Sequence, residues 1–120
     1  MNVFVHDNNG TQIAEMQSDG IVVRSARDAA DITRELLGRG IKKLILHGRN
    51  LCPEFWQLSG GLAEAVLQEF ASKAIVVAFV RKSGQQQSDI LETLIQENNL
   101  HNQAFFSGTV ELAKLQLSRK

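Results

Sequence analysis

Apolar stretches separated by turn residues predict a hairpin at the start of the chain. Val3–Val5 and Thr11–Met16 flank the polar cluster Asp7-Asn8-Asn9-Gly10. An Asn-Gly pair between two apolar stretches is a strong signal for an antiparallel hairpin. The β-branched run Ile21–Val23 either continues this region or forms a short strand of its own.

Two continuous apolar runs predict the centre of a sheet. Leu44-Ile45-Leu46, inside a strand over Lys43–His47, and Ala74–Val80 are typical of strands buried on both faces. A helix predicted between them, over about Gly61–Ala71, makes them a parallel pair joined by a right-handed crossover. The same periodicities predict four further elements: a helix over Ala26–Leu37 with Ser25 as its N-cap, a helix that starts at Ser88 and ends near Asn98-Asn99, a strand over Gln103–Phe106 and a helix over Val110–Leu117.

These elements predict one α/β domain over residues 1–120, with an N-terminal β-hairpin followed by alternating helices and strands in a mixed sheet. The charge balance narrows its partners, because 13 basic residues offset 13 acidic ones. A chain without net charge has no overall electrostatic field that would attract it to nucleic acid or to an anionic membrane, so we expect neither as a partner.

The single Cys52 cannot form an internal disulfide, and no Cys or His pair has zinc-ligand spacing, so we expect no metal and no cofactor. No signal peptide or membrane span is visible, and we expect a cytoplasmic protein.

The segment Phe55–Phe70 (FWQLSGGLAEAVLQEF), together with Ile95–Asn98 and Phe105-Phe106, resembles the central motif of a bacterial family of STAS-like domains of unknown function. The fold of that family is similar to the fold of anti-sigma-factor antagonists, and the resemblance covers roughly residues 21–115. It implies a STAS-like fold and a role as a protein-interaction or regulatory module. Two features depart from the family pattern: Arg81-Lys82 stand where a small residue and an acid are expected, and a longer insert, His47–Leu58, precedes the motif.

Ser59-Gly60-Gly61 is the candidate regulatory site. STAS antagonists place a phosphorylatable Ser at the start of the helix after a core strand, and Ser59 occupies a similar place. Unshielded backbone N–H groups at a helix start suit an anion or a phosphoryl group. The alternative is that Ser59 is an ordinary N-cap and that the two glycines only allow close packing.

The carboxyl ends of the parallel strands form a second candidate region, because ligands of open α/β sheets usually bind there. We expect Arg49, Arg81 and Lys82 to bind an anion or a partner at this edge. The other polar residues predicted at the edge are Arg24, Ser25, Arg27, His47, Asn50, Ser83, Ser107 and Thr109. A small enzyme or a nucleotide- or anion-binding domain that uses this edge is the alternative function.

No residues are spaced as a catalytic set, so we predict no catalytic residues and leave the question of an enzyme open. Cys52 near His47 lacks a third orienting residue, and His6 is interpreted as a turn residue. Of the aromatic pair Phe55 and Trp56, one is expected to anchor the insert on the core, and the other, if it is exposed, to contact a partner. We expect that partner to be another protein, with a homo-oligomer left open.

Overall fold

The computed structural model describes residues 2–57, 60–80, 92–100 and 102–119, which form a five-stranded mixed sheet with helices on both faces. The strands lie in the sheet in chain order: β1 (Val3–Asn8), β2 (Thr11–Met16), β3 (Lys43–His47), β4 (Val76–Val80) and β5 (Ala104–Ser107). The helices are α1 (Ala26–Gly38), α2 (Leu62–Ser72), α3 (residues 92–97) and α4 (Val110–Ser118). β1 is antiparallel to β2, and the remaining neighbours are parallel. The predicted α/β class, hairpin and mixed sheet are confirmed.

The hairpin turn follows directly from its sequence. Asn9 and Gly10 both have positive φ, 56° and 86°, as a two-residue hairpin turn of the favoured type requires. Pairing then runs without interruption from Asn8 opposite Thr11 to Val3 opposite Met16. β1 is therefore longer than the predicted Val3–Val5, and His6 lies in the strand rather than in a turn.

The connections place three helices on one face of the sheet. From β2 to β5 each strand lies beside the one before it, so right-handed crossovers carry α1, α2 and α3 to the same side. The main core lies there, and Leu36 of α1, Phe70 of α2 and Val77 of β4 are all buried in it. α4 covers the opposite face, where its Ala113 and Leu117 pack on a smaller cluster of buried strand residues, namely Ile13, Ile45, Ala78 and Val80.

The three crossover helices end in the same way. In each, a residue with positive φ follows the helix, and the next N–H donates to a carbonyl five residues back, at 2.9 Å. This is the Schellman arrangement. The positive-φ residues are Gly40, Ala74 and Asn99, and the buried residues that follow them are Ile41, Ile75 and Leu100. Because Ala74 belongs to the helix end, β4 begins at Val76 and not at Ala74 as predicted.

The described part of the insert between β3 and α2 consists of short turns. Two 3-10 turns, Gly48–Asn50 and Pro53–Trp56, are present, the second with Pro at its first position. Val23 makes a single bridge with Leu51, so the run Ile21–Val23 is not a full strand. The predicted helix start at Ser88 lies outside the described residues.

Candidate functional site

The start of α2 is exposed backbone. Gly61 occupies the N-cap position, with φ 71° and ψ 4°, and has no side chain to cap the helix. Gly60 and Gly61 are both exposed, and a Cβ built on either would meet no atom within 4 Å. Close packing therefore does not explain these glycines. The N-cap is Gly61 and not Ser59, which itself lies outside the described residues.

Two other helix starts show what α2 lacks. The Ser25 hydroxyl accepts from the N–H of Asp28 at the start of α1, at 3.3 Å, which confirms the predicted N-cap. The Thr109 hydroxyl accepts from the N–H of Leu112 at the start of α4, at 3.2 Å. At α2 the N-cap is a left-handed glycine, which has no side chain to accept from the first-turn N–H groups. These groups also carry the positive end of the helix dipole.

Arg49, one of the three predicted cations, contacts the loop between β2 and α1. The Arg49 Nε donates to the carbonyl of Ser18 at 3.3 Å and lies 3.9 Å from the carboxylate of Asp19, in the loop between β2 and α1. About half of the Arg49 side chain is exposed. Arg81 and Lys82 lie outside the described residues.

The aromatic pair anchors the insert. Phe55 is buried, with its ring 5.7 Å from the ring of Phe79 and 4.9 Å from that of Trp56. Trp56 is partly buried against the same core. Both side chains thus fix the turn that leads into α2.

Asn50 ties the carboxyl edge of the sheet together. Its side chain is fully buried, and Nδ2 donates to the carbonyls of Ser18 at 2.9 Å and Gly20 at 3.0 Å. Oδ1 accepts from the backbone N–H of His47 at 2.9 Å. At the same edge, the Ser107 hydroxyl donates to the Gln116 side chain at 2.5 Å. Polar groups at this edge that were predicted to bind a ligand thus form hydrogen bonds within the protein instead.

The structure brings together one cluster that the sequence did not suggest. His6, Glu15 and His47 lie on three neighbouring strands, on the face that α4 covers in part. The carboxylate of Glu15 bridges the two imidazoles, with Oε1 2.8 Å from His6 Nε2 and Oε2 2.7 Å from His47 Nε2. Each of the three side chains is less than a fifth exposed, and the ring of Phe4 packs on His6 with centroids 4.7 Å apart.

Electrostatics define the state of this cluster. Burial raises the pKa of the Glu15 carboxyl. The hydrogen bonds from His6 and His47, together with the charge of these imidazoles when protonated, lower this pKa by more than burial raises it, so it lies below its ordinary value. An ionised carboxylate only accepts hydrogen bonds, so each imidazole carries its hydrogen on Nε2.

Part of this cluster could have been predicted from the register of the β1–β2 hairpin. His6 stands opposite Ile13, and Glu15 lies two residues further along β2 on the same face of the sheet. His47 joins them only through the pairing of β2 with β3. Its Nε2 contacts Glu15, and no hydrogen bond joins His47 to the buried Cys52 among the described residues.

Two kinds of site find no support in the described residues. They contain no group of three or more His, Cys, Asp or Glu side chains arranged to hold a metal ion. No helix among them has the length and apolar character needed to cross a bilayer.

The comparisons with known proteins give one family. No curated protein and no solved structure matches the chain. The family model described as "Domain of unknown function (DUF4180)" matches residues 8–117. This match spans nearly the whole chain, from the end of β1 to the last turn of α4, and the protein therefore belongs to the DUF4180 family.

Proposed function

We propose that this protein is a STAS-like regulatory module of the cytoplasm, which acts by binding another protein through the start of α2. The N-terminal hairpin and the strands that follow it in chain order support the STAS-like assignment. An anion or a phosphoryl group at Ser59-Gly60-Gly61 controls the interaction. DUF4180 is described only as a domain of unknown function, so the role is argued from the site.

The exposed glycine start of α2 carries the proposal. Gly60 and Gly61 are both exposed, and Gly61 stands where α1 and α4 have a capping hydroxyl. An acceptor from a partner, or a phosphoryl oxygen, would accept from the first-turn N–H groups of α2. Glu64 in the first turn weakens the attraction for an anion, which suits reversible binding.

Phosphate titration followed by amide NMR tests this proposal. We expect the amides of Gly61, Leu62 and Ala63 to shift and to saturate with inorganic phosphate. The first turns of α1 and α4 serve as internal controls, because Ser25 and Thr109 already cap them.

A charge variant sharpens the test. Gly60→Asp introduces a competing carboxylate and should abolish the phosphate response at α2. Gly20→Asp is the matched control, because Gly20 is equally open and far along the chain from α2. Equal shifts at all three helix starts, or no shift at α2, would contradict the proposal.

Acid–base catalysis at the His6–Glu15–His47 cluster is the second candidate function. Glu15 fixes the Nε2–H form of both imidazoles, as the carboxylate of a hydrolytic triad does for its histidine. Hydrolysis of the activated ester p-nitrophenyl acetate is the assay. The wild type should exceed the His6→Gln/His47→Gln variant at neutral pH, and Glu15→Gln should reduce the rate without removing either imidazole. Equal rates for the wild type and the double variant would rule this function out.

A further inference from the structure

The outer edge of β1 is open and unusually regular. β1 is the first strand of the sheet order, and no other described segment pairs with its outer side. Its sequence, VFVHDN, contains no Pro, Lys or Arg, and the six consecutive pairs with β2 include no bulge. Proteins usually protect edge strands with such features, because a bare edge pairs with another strand.

The hydrogen-bond pattern shows which backbone groups point outward. The carbonyl of Asn2 accepts from the N–H of Gln17 at 2.8 Å, so Asn2 and Gln17 form a hydrogen-bonded pair. Such pairs alternate along an antiparallel ladder, so Phe4 and His6 also direct their backbone groups to β2. Val3, Val5 and Asp7 therefore direct theirs away from the sheet.

We propose that two copies of this chain pair through β1, antiparallel across a two-fold axis centred on Val5, and form one continuous sheet. This surface is separate from the start of α2, so the inference does not depend on the proposed function.

The register centred on Val5 follows from the outward groups. It pairs Val5 with its own copy and Val3 with Asp7 of the partner, so that all three outward residues lie in hydrogen-bonded pairs. Moving the register by two residues in either direction leaves only two such pairs. The chosen register also keeps the two Asp7 carboxylates apart.

The side chains on the α4 face fit the same register. Phe4 of one copy stands opposite His6 of the other in a non-hydrogen-bonded pair, where Cα atoms are about 4.5 Å apart and side chains are closest. Phe4 is 54% exposed, the largest exposed fraction among the large apolar side chains described, and its ring already packs on His6 within the chain. The second copy would cover it with a further ring.

Sedimentation analysis of the full chain tests the pairing. We expect the wild type and Val5→Ala to sediment at twice the chain mass, and Val5→Pro to sediment as a monomer. Proline removes an N–H that points outward, so it leaves the ladder with β2 intact, and proline is tolerated on edge strands. Val5→Ala is the matched control, because it loses the same side-chain packing but keeps the N–H. A wild type that remains monomeric, or a dimeric Val5→Pro variant, would overturn the proposal.

Amide hydrogen exchange of the wild type tests the pairing through β1 even if Val5→Pro fails to fold. In the wild-type dimer the amides of Val3, Val5 and Asp7 should exchange slowly, and they should lose this protection on dilution. The amides of Phe4 and His6 should stay protected at both concentrations, because they bond to β2. A dimer whose Val5 amide exchanges freely would show that the interface lies elsewhere.

Discussion

Replacing Asn50 with alanine removes three hydrogen bonds from a side chain that is fully buried. Each such bond contributes about 1 kcal/mol net, so the free energy of unfolding should fall by about 3 kcal/mol. The loss follows from the partners left behind, namely the carbonyls of Ser18 and Gly20 and the N–H of His47. Domains of this size are stable by about 5–15 kcal/mol, so the change is large and measurable.

Asn50→Asp separates hydrogen bonding from packing. Aspartate has nearly the same size and still accepts from His47, but it cannot donate to the two carbonyls. Its second oxygen would face these carbonyl oxygens, so Asn50→Asp should be at least as unstable as Asn50→Ala at neutral pH.

Urea denaturation followed by circular dichroism measures both variants. Asn2→Ala, at an exposed position, is the control and should change stability by less than about 0.5 kcal/mol. If Asn50→Asp is as stable as the wild type, or if Asn50→Ala lies within 0.5 kcal/mol of it, as is typical of surface substitutions, the side chain does not hold the edge together.

Three further predictions concern the cluster, the core and a helix end. Because the pKa of Glu15 in the folded state lies below its ordinary value of 4.5, its ionised form stabilises the fold above that pH, and the contribution is lost as pH falls through the folded pKa. The free energy of unfolding should therefore fall less steeply below pH 4.5 in Glu15→Gln than in the wild type. Parallel curves of unfolding free energy against pH for the two proteins would contradict the stabilisation of ionised Glu15 by His6 and His47. Val77→Asp should abolish folding, because Val77 is fully buried at the centre of the sheet and the carboxylate would have no partner; a cooperative thermal transition in this variant would refute the prediction. Ala74→Gly should raise stability by about 1 kcal/mol, because Ala74 has φ 59° and glycine adopts positive φ without a steric penalty; a lower melting temperature would count against it.

Local signals were sufficient for most of the fold. The Asn-Gly turn and the Ser25 cap each act within a few residues, and the structure has both. The two apolar runs identified adjacent parallel strands in the centre of the sheet, because burial on both faces removes the alternation of polar residues.

The sites were harder to predict because they depend on contacts that are distant in sequence. Glu15 and His47 are 32 residues apart, and only the β2–β3 register brings them together. The start of α2 was predicted one residue early, since Gly61 can serve as a helical residue or as a left-handed N-cap. The sequence pattern alone does not separate these two conformations.

The one-sided arrangement of α1, α2 and α3 also orders the assembly of the protein as it is synthesised. Every residue of the sheet and of its first helical layer precedes α4 in the chain. A nascent chain can therefore complete that layer while Ile13, Ile45 and Ala78 on the other face still lack their cover. This apolar strip is therefore the last part of the core to be covered, once Ala113 and Leu117 have been synthesised.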